Sequence, residues 1–99
     1  MKPVRLLAGA RKELDEIVEY YHAESEGQGF RFTAQIEKLI RNIQRFPLSY
    51  AAVSQRIRCA STESFPYNLF YSVLSDEILV ISIAHQRRRP RRWDDPSPH

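Results

Sequence analysis

A single cysteine, Cys59, stands among the 99 residues. One thiol excludes an internal disulfide framework and any thiolate zinc cage. Glycine is almost as scarce, at three residues, and no Gly-rich phosphate loop, dinucleotide fingerprint or Gly-x-Ser-x-Gly elbow occurs. His22, His85 and His99 are scattered, with no His-x-x-x-His pair. No metal site is read from them, and no other cofactor is expected. Long apolar runs are missing too. The longest uncharged run, Ser64 to Ser75, has twelve residues, too few to span a bilayer. The opening residues, Met1 to Ala8, lack the apolar core of a signal peptide. A soluble, cytoplasmic protein without membrane contacts is the expectation.

What is present is ordinary globular material. Hydrophobic residues make up 42% and charged residues 27%, which argues against disorder. The length allows one small domain. Charge is unevenly placed. Residues 1–84 hold ten basic and ten acidic side chains, so the net +3 comes from Arg87, Arg88, Arg89, Arg91 and Arg92 set against Asp94 and Asp95. Residues 8–26 are acidic and residues 31–58 are basic. These charges are either solvated outer faces, paired with each other, or a surface for a polyanion or an acidic partner.

The periodicity predicts strand, helix, helix, then three strands. Val4 to Leu7 is a short apolar stretch followed by Gly9, a tolerable helix N-cap. Ala10, Leu14, Ile17, Val18 and Tyr21 then fall on one face of a helix, with Glu13, Asp15, Glu16 and Glu19 opposite. Gly27-Gln28-Gly29 breaks it. Phe32, Ile36, Leu39, Ile40 and Ile43 repeat the spacing in a second helix that ends near Phe46, because Pro47 disfavours a helical residue before it. Two such helices joined by a short turn pack as an antiparallel hairpin.

Arg56 to Cys59 alternates polar and apolar, the period of a half-buried strand. Phe65 to Val73 is rich in β-formers, with Phe65, Tyr67, Leu69, Tyr71 and Val73 on one face. Pro66, lacking an N–H donor, belongs at the start or edge of that strand. Ser75-Asp76 makes a two-residue turn into Ile78 to Ala84, a nearly continuous apolar run that reads as a central strand.

Few residues offer chemistry. Cys59, alternating with arginines, reads as a core thiol. Metal-free RNA cleavage needs a base, an acid and cations around the phosphate, and Arg56, Arg58 and His85 are the residues here that could fill those roles. For His85 a second reading stands beside that one: it ends the last strand with its ring bonded to backbone. Trp93, in a polar tail, either folds back over the sheet or anchors a partner.

In order and spacing these features resemble the RelE/ParE toxin superfamily. The resemblance rests on Ala10…Leu14…Ile17…Tyr20-Tyr21, on Phe46-Pro47 closing the second helix, and on Phe65-Pro66-Tyr67…Tyr71 in a strand. The ending His85…Arg87-Arg88…Pro90…Trp93 completes it and, with the Phe-Pro-Tyr strand, resembles the ParE, or plasmid-stabilisation, branch. It extends from about Val4 to Trp93. That sets a single domain at 1–93 and leaves 94–99 as a disordered tail.

The resemblance implies an α+β fold, with an N-terminal strand and an antiparallel helical hairpin packed on a small antiparallel sheet (β-α-α-β-β-β). It also implies the toxin of a type II toxin–antitoxin pair, neutralised by a cognate antitoxin through which it meets operator DNA only indirectly. ParE-branch toxins inhibit DNA gyrase by binding, without a catalytic site. RelE-branch toxins cleave mRNA on the ribosome, the alternative in which Arg56, Arg58 and His85 would be catalytic. A non-toxic antitoxin-binding relic is a third possibility. On the first reading, Arg87, Arg88, Arg89, Arg91, Arg92 and Trp93 are expected to bind the target, and Arg41, Arg45 and Arg56 the antitoxin.

Overall fold

The computed structural model describes residues 1–87. The chain enters on β1 (Val4–Leu6) and passes into α1 (Ala8–Glu24) and α2 (Gln28–Arg45). Four strands follow: β2 (Ala51–Ala52), β3 (Arg58–Ser61), β4 (Tyr67–Val73) and β5 (Ile78–His85). All five strands form one sheet in the order β1-β5-β4-β3-β2. Neighbours pair antiparallel except at β1, which runs parallel to β5 with Val4 opposite Ile78 and Leu6 opposite Val80.

This is the expected α+β architecture with two differences. The sheet is mixed, because apolar periodicity marks a strand without saying which neighbour it will pair with or in which direction. The extra strand β2 is only two exposed alanines, too short to show a period. Boundaries shift as well. Helix α1 begins at Ala8, with Leu7 in the N-cap position. Gly9 therefore lies in the first turn, whose N–H groups have no intrahelical partner in any case. Strand β3 starts at Arg58, because Val53 and Ser54 both donate their N–H to the Ile57 carbonyl and fold residues 53–57 into a bend.

The helical hairpin turns at Gly27, whose φ of 84° is the left-handed conformation glycine tolerates best. Both predicted apolar stripes face the sheet. Ala10, Phe32, Ile36, Leu39 and Ile43 are buried with Ala60, Phe65, Leu69, Tyr71, Ile78, Val80 and Ile83. Leu14, Ile17, Val18, Tyr21 and Ile40 pack against them. At one end the core is aromatic: Tyr21, Phe32, Phe65 and Tyr67 meet at ring-centroid distances of 4.9 to 6.3 Å, mostly edge to face, the arrangement ring quadrupoles favour. Pro66 immediately precedes β4, and the Thr62 hydroxyl donates to the Phe65 carbonyl at 2.6 Å to hold the turn before it.

Strand β5 is central and covered on both faces, as its continuous apolar run requires. Ile78, Val80 and Ile83 join the helix-side core, while Ile81 and Ala84 join Ile57, Phe70 and Cys59 on the opposite face. A bulge makes this possible. Phe70 lies opposite Ser82 and Tyr71 opposite Val80, so Ile81 is the extra residue. Glu13 clips the bulge to α1: its carboxylate accepts hydrogen bonds from the Ser82 hydroxyl at 2.9 Å and the Ile83 N–H at 3.1 Å. The periodicity places Glu13 on the polar side of α1, yet it sits three residues after buried Ala10 and reaches the sheet from the stripe's margin.

Candidate partner-binding site

Of the three residues proposed for RNA cleavage, His85 stands apart from Arg56 and Arg58. Arg58 lies opposite Tyr71 across β3 and β4. Its guanidinium donates to the carbonyls of Tyr50 at 2.6 Å and Leu48 at 3.2 Å, so it pins the segment leaving α2 onto the sheet. His85 lies opposite Tyr67, four positions along β4 from Arg58's partner, a separation of about 13 Å at ~3.3 Å per residue. Its Nδ1 accepts the Arg87 N–H at 3.1 Å, and its ring stacks edge to face on Tyr67 at 5.3 Å. That is the backbone-bonded strand ending, the second of the two readings. Arg56 falls outside the strand, exposed on the 53–57 bend.

Cys59 is half-buried and burial pushes its thiol up, the opposite of what a nucleophilic thiolate needs. Tyr71 is pushed up to about 12 by burial, with the Arg58 charge pulling the other way. Among the described residues, no group of three or more His, Cys, Asp and Glu is placed to hold a metal ion. No helix there is long and apolar enough to cross a membrane.

The cations assigned to partners are spread over three places. Arg41 and Arg45 are exposed on α2, with the Arg45 guanidinium 5.6 Å over the Phe46 ring. Arg56 and Arg58 meet Leu48, Ala52, Ser54 and Leu74 in a groove of about 300 Å³ at the end of the sheet. Arg87 is exposed beyond β5. Arg88, Arg89, Arg91, Arg92, Trp93 and residues 94–99 lie outside the described residues. Among those described, the ion pairs are Arg5–Glu77 at 2.9 Å and Lys38–Glu63 at 3.2 Å. Neither joins acidic α1 to basic α2, so the two charged helix faces are not salt-bridged to each other there.

The sequence reading missed the apolar corner beside these arginines. Phe46, Leu48, Val53 and Leu74 are 59%, 66%, 49% and 38% exposed. Phe46 and Leu48 lie in the segment leaving α2, Val53 in the 53–57 bend and Leu74 at the β4–β5 turn. A signal existed in Phe46-Pro47-Leu48, an apolar triplet just past a helix end, which is more than a helix stop needs.

The two-layer domain thus displays exposed cations and large exposed apolar side chains near one end of its sheet. The chain belongs to the ParE toxin family of the type II toxin–antitoxin system parDE, which matches residues 4–90. Among solved structures it is similar to a chain of the chromosomal ParDE toxin–antitoxin system from P. aeruginosa, with a TM-score of 0.72 and 19% sequence identity. That likeness covers 86% of this chain and 96% of the other and speaks for the fold alone. No curated protein matches the chain significantly.

Proposed function

We propose that this chain is a toxin that acts by binding DNA gyrase and is silenced by a cognate antitoxin. The observation that carries this reading is the separation of His85 from Arg56 and Arg58. Arg58 is committed to two loop carbonyls and His85 to a backbone N–H at the far end of the sheet. General acid–base cleavage of RNA needs such groups within hydrogen-bond reach of one phosphodiester. Inhibition by binding needs only a surface. Membership of the ParE family supports gyrase as the target, and the basic stretch of Arg87, Arg88, Arg89, Arg91, Arg92 with Trp93 is the part assigned to it. Arg41, Arg45 and Arg56 are assigned to the antitoxin.

A gyrase supercoiling assay with purified protein tests the reading. Supercoiling falls as protein is added, and linear DNA accumulates as cleaved complexes are trapped. Full supercoiling at toxin excess refutes gyrase as the target. Cleavage of mRNA on translating ribosomes would instead establish the nuclease alternative. Replacing the five tail arginines by alanine should impair toxicity more than antitoxin binding; equal losses in both would refute the division of surfaces.

A further inference from the structure

We propose that the groove formed by Leu48, Ala52, Ser54, Arg56 and Leu74 seats an acidic, apolar peptide segment of the antitoxin. One leucine- or phenylalanine-sized side chain lies between Leu48 and Leu74, and a neighbouring carboxylate engages Arg56. The inference rests on the reading of the chain as an antitoxin-neutralised toxin and gives that partner a specific seat.

Three observations converge on the groove. Its apolar walls are displayed to solvent, since Leu48 and Leu74 are among the large hydrophobic side chains left exposed, and contiguous exposed apolar surface marks an interaction site. Its charge has one sign: the lining residues include Arg56 and Arg58 and no carboxylate. Arg58 is occupied by the Tyr50 and Leu48 carbonyls, whereas Arg56 is exposed and forms no ion pair among the described residues. Finally, Ala52 belongs to β2, the terminal strand of the sheet, whose outer side is open to main-chain pairing by an extended segment.

Size and charge select the occupant. A volume of about 300 Å³ is at the lower limit of small-molecule pockets and suits a side chain. Nucleic acid requires a row of cations to neutralise successive phosphates, and here Arg56 alone is uncommitted. A disordered acidic segment that orders on binding matches all the features at once.

Titrating the ¹⁵N-labelled chain with two acetylated, amidated decapeptides tests the proposal. One alternates acidic residues with leucine; the other has lysine in place of each acid. The acidic peptide shifts amide signals in 48–58 and 72–74, and the lysine peptide does not bind. Arg56→Glu and Leu74→Asp, both at exposed positions, each weaken the acidic peptide at least tenfold. Shifts confined to the outer face of α2, equal binding of both peptides, or unchanged affinity in both variants overturns the proposal. The product of the adjoining reading frame separates this failure from that of the functional reading. If it neutralises the chain in cells yet binds Arg56→Glu and Leu74→Asp as tightly as wild type, the groove is refuted and the function stands. If the chain inhibits neither growth nor gyrase while the acidic peptide still binds in the groove, the functional reading falls and the groove's preference stands.

Discussion

The Tyr71 hydroxyl donates a hydrogen bond to the Pro47 carbonyl at 2.6 Å. This one contact fastens the middle of the sheet to the segment leaving α2, and the Arg58 guanidinium reinforces it by holding the next carbonyls, Leu48 and Tyr50. The groove and its apolar corner are thereby built on a braced loop. Tyr71 itself is fully buried, so its phenol has no water to replace a lost partner.

Tyr71→Phe should therefore lower stability by about 1–2 kcal/mol, the range for a hydrogen bond whose loss leaves a carbonyl short of a partner. Urea denaturation monitored by circular dichroism measures it. The pH dependence has a definite sign. Burial raises the folded-state value of Tyr71 from 10.0 to about 12, so the protonated phenol is favoured by folding. Its contribution is complete below pH 10 and declines as pH rises from 10 towards 12. Wild type should lose stability across that window more steeply than Tyr71→Phe. Parallel curves would refute the assignment.

Phe32→Ala should be far more damaging. Phe32 is fully buried and touches the rings of Tyr21, Phe65 and Tyr67, contacts that join α1, α2 and the start of β4. Truncation of a buried phenylalanine costs about 3–5 kcal/mol, a large part of what a domain of this size has in reserve. The expected result is a chain largely unfolded at 37 °C, read from the loss of a cooperative thermal transition. A change below ~1 kcal/mol would mean that this aromatic end is not part of the cooperative core.

The helices were the most legible part of the chain because each presents a 3.6-residue apolar stripe to one sheet, and every stripe residue named from the sequence packs in that core. The β5 strand was legible because a doubly covered strand must be apolar throughout. Less could be read where a feature depends on partners distant in the chain. The parallel β1–β5 pairing, the Glu13 clip on Ser82 and Ile83, and the two-residue β2 arise from tertiary closeness and leave no period behind. The site was less legible still. Arg58 and His85 are residue types that do chemistry, but only their hydrogen bonds reveal a bracing role for one and a strand-ending role for the other. The groove draws Leu48 and Leu74 together from 26 positions apart, a distance no local motif spans.

The Arg5 guanidinium pairs with the Glu77 carboxylate through two bonds of 2.9 Å, tying the short parallel strand β1 to the residue before β5. The pair lowers Glu77 below its usual carboxylate value, first through the hydrogen bond from Arg5. The contribution is present above the unfolded-state value of a glutamate and is lost as pH falls through the lower folded-state value. Glu77→Gln should lower the protection from exchange of the Ile78 amide, which donates to the Pro3 carbonyl at this junction, and remove the dependence of that protection on salt and on acidic pH. Exchange that is unchanged at low ionic strength would show that backbone pairing alone holds β1, as it can when an exposed ion pair is screened.

Arg58→Ala and His85→Ala separate bracing from catalysis. Arg58 makes charge-assisted bonds to two carbonyls, so its removal should destabilise the domain by about 1.5–3 kcal/mol and loosen residues 47–50. His85 holds a single backbone N–H at the end of β5, and its loss should lower stability by no more than ~1 kcal/mol. If the chain acts by binding, growth inhibition by each variant should follow its folded fraction, measured by thermal denaturation of the same protein. Lowering the growth temperature should then restore toxicity to Arg58→Ala, because it restores the fold. If either residue served a phosphodiester cleavage, that variant would be folded, inert and unrescued at every temperature, since a missing acid–base group or phosphate cation is not returned by refolding.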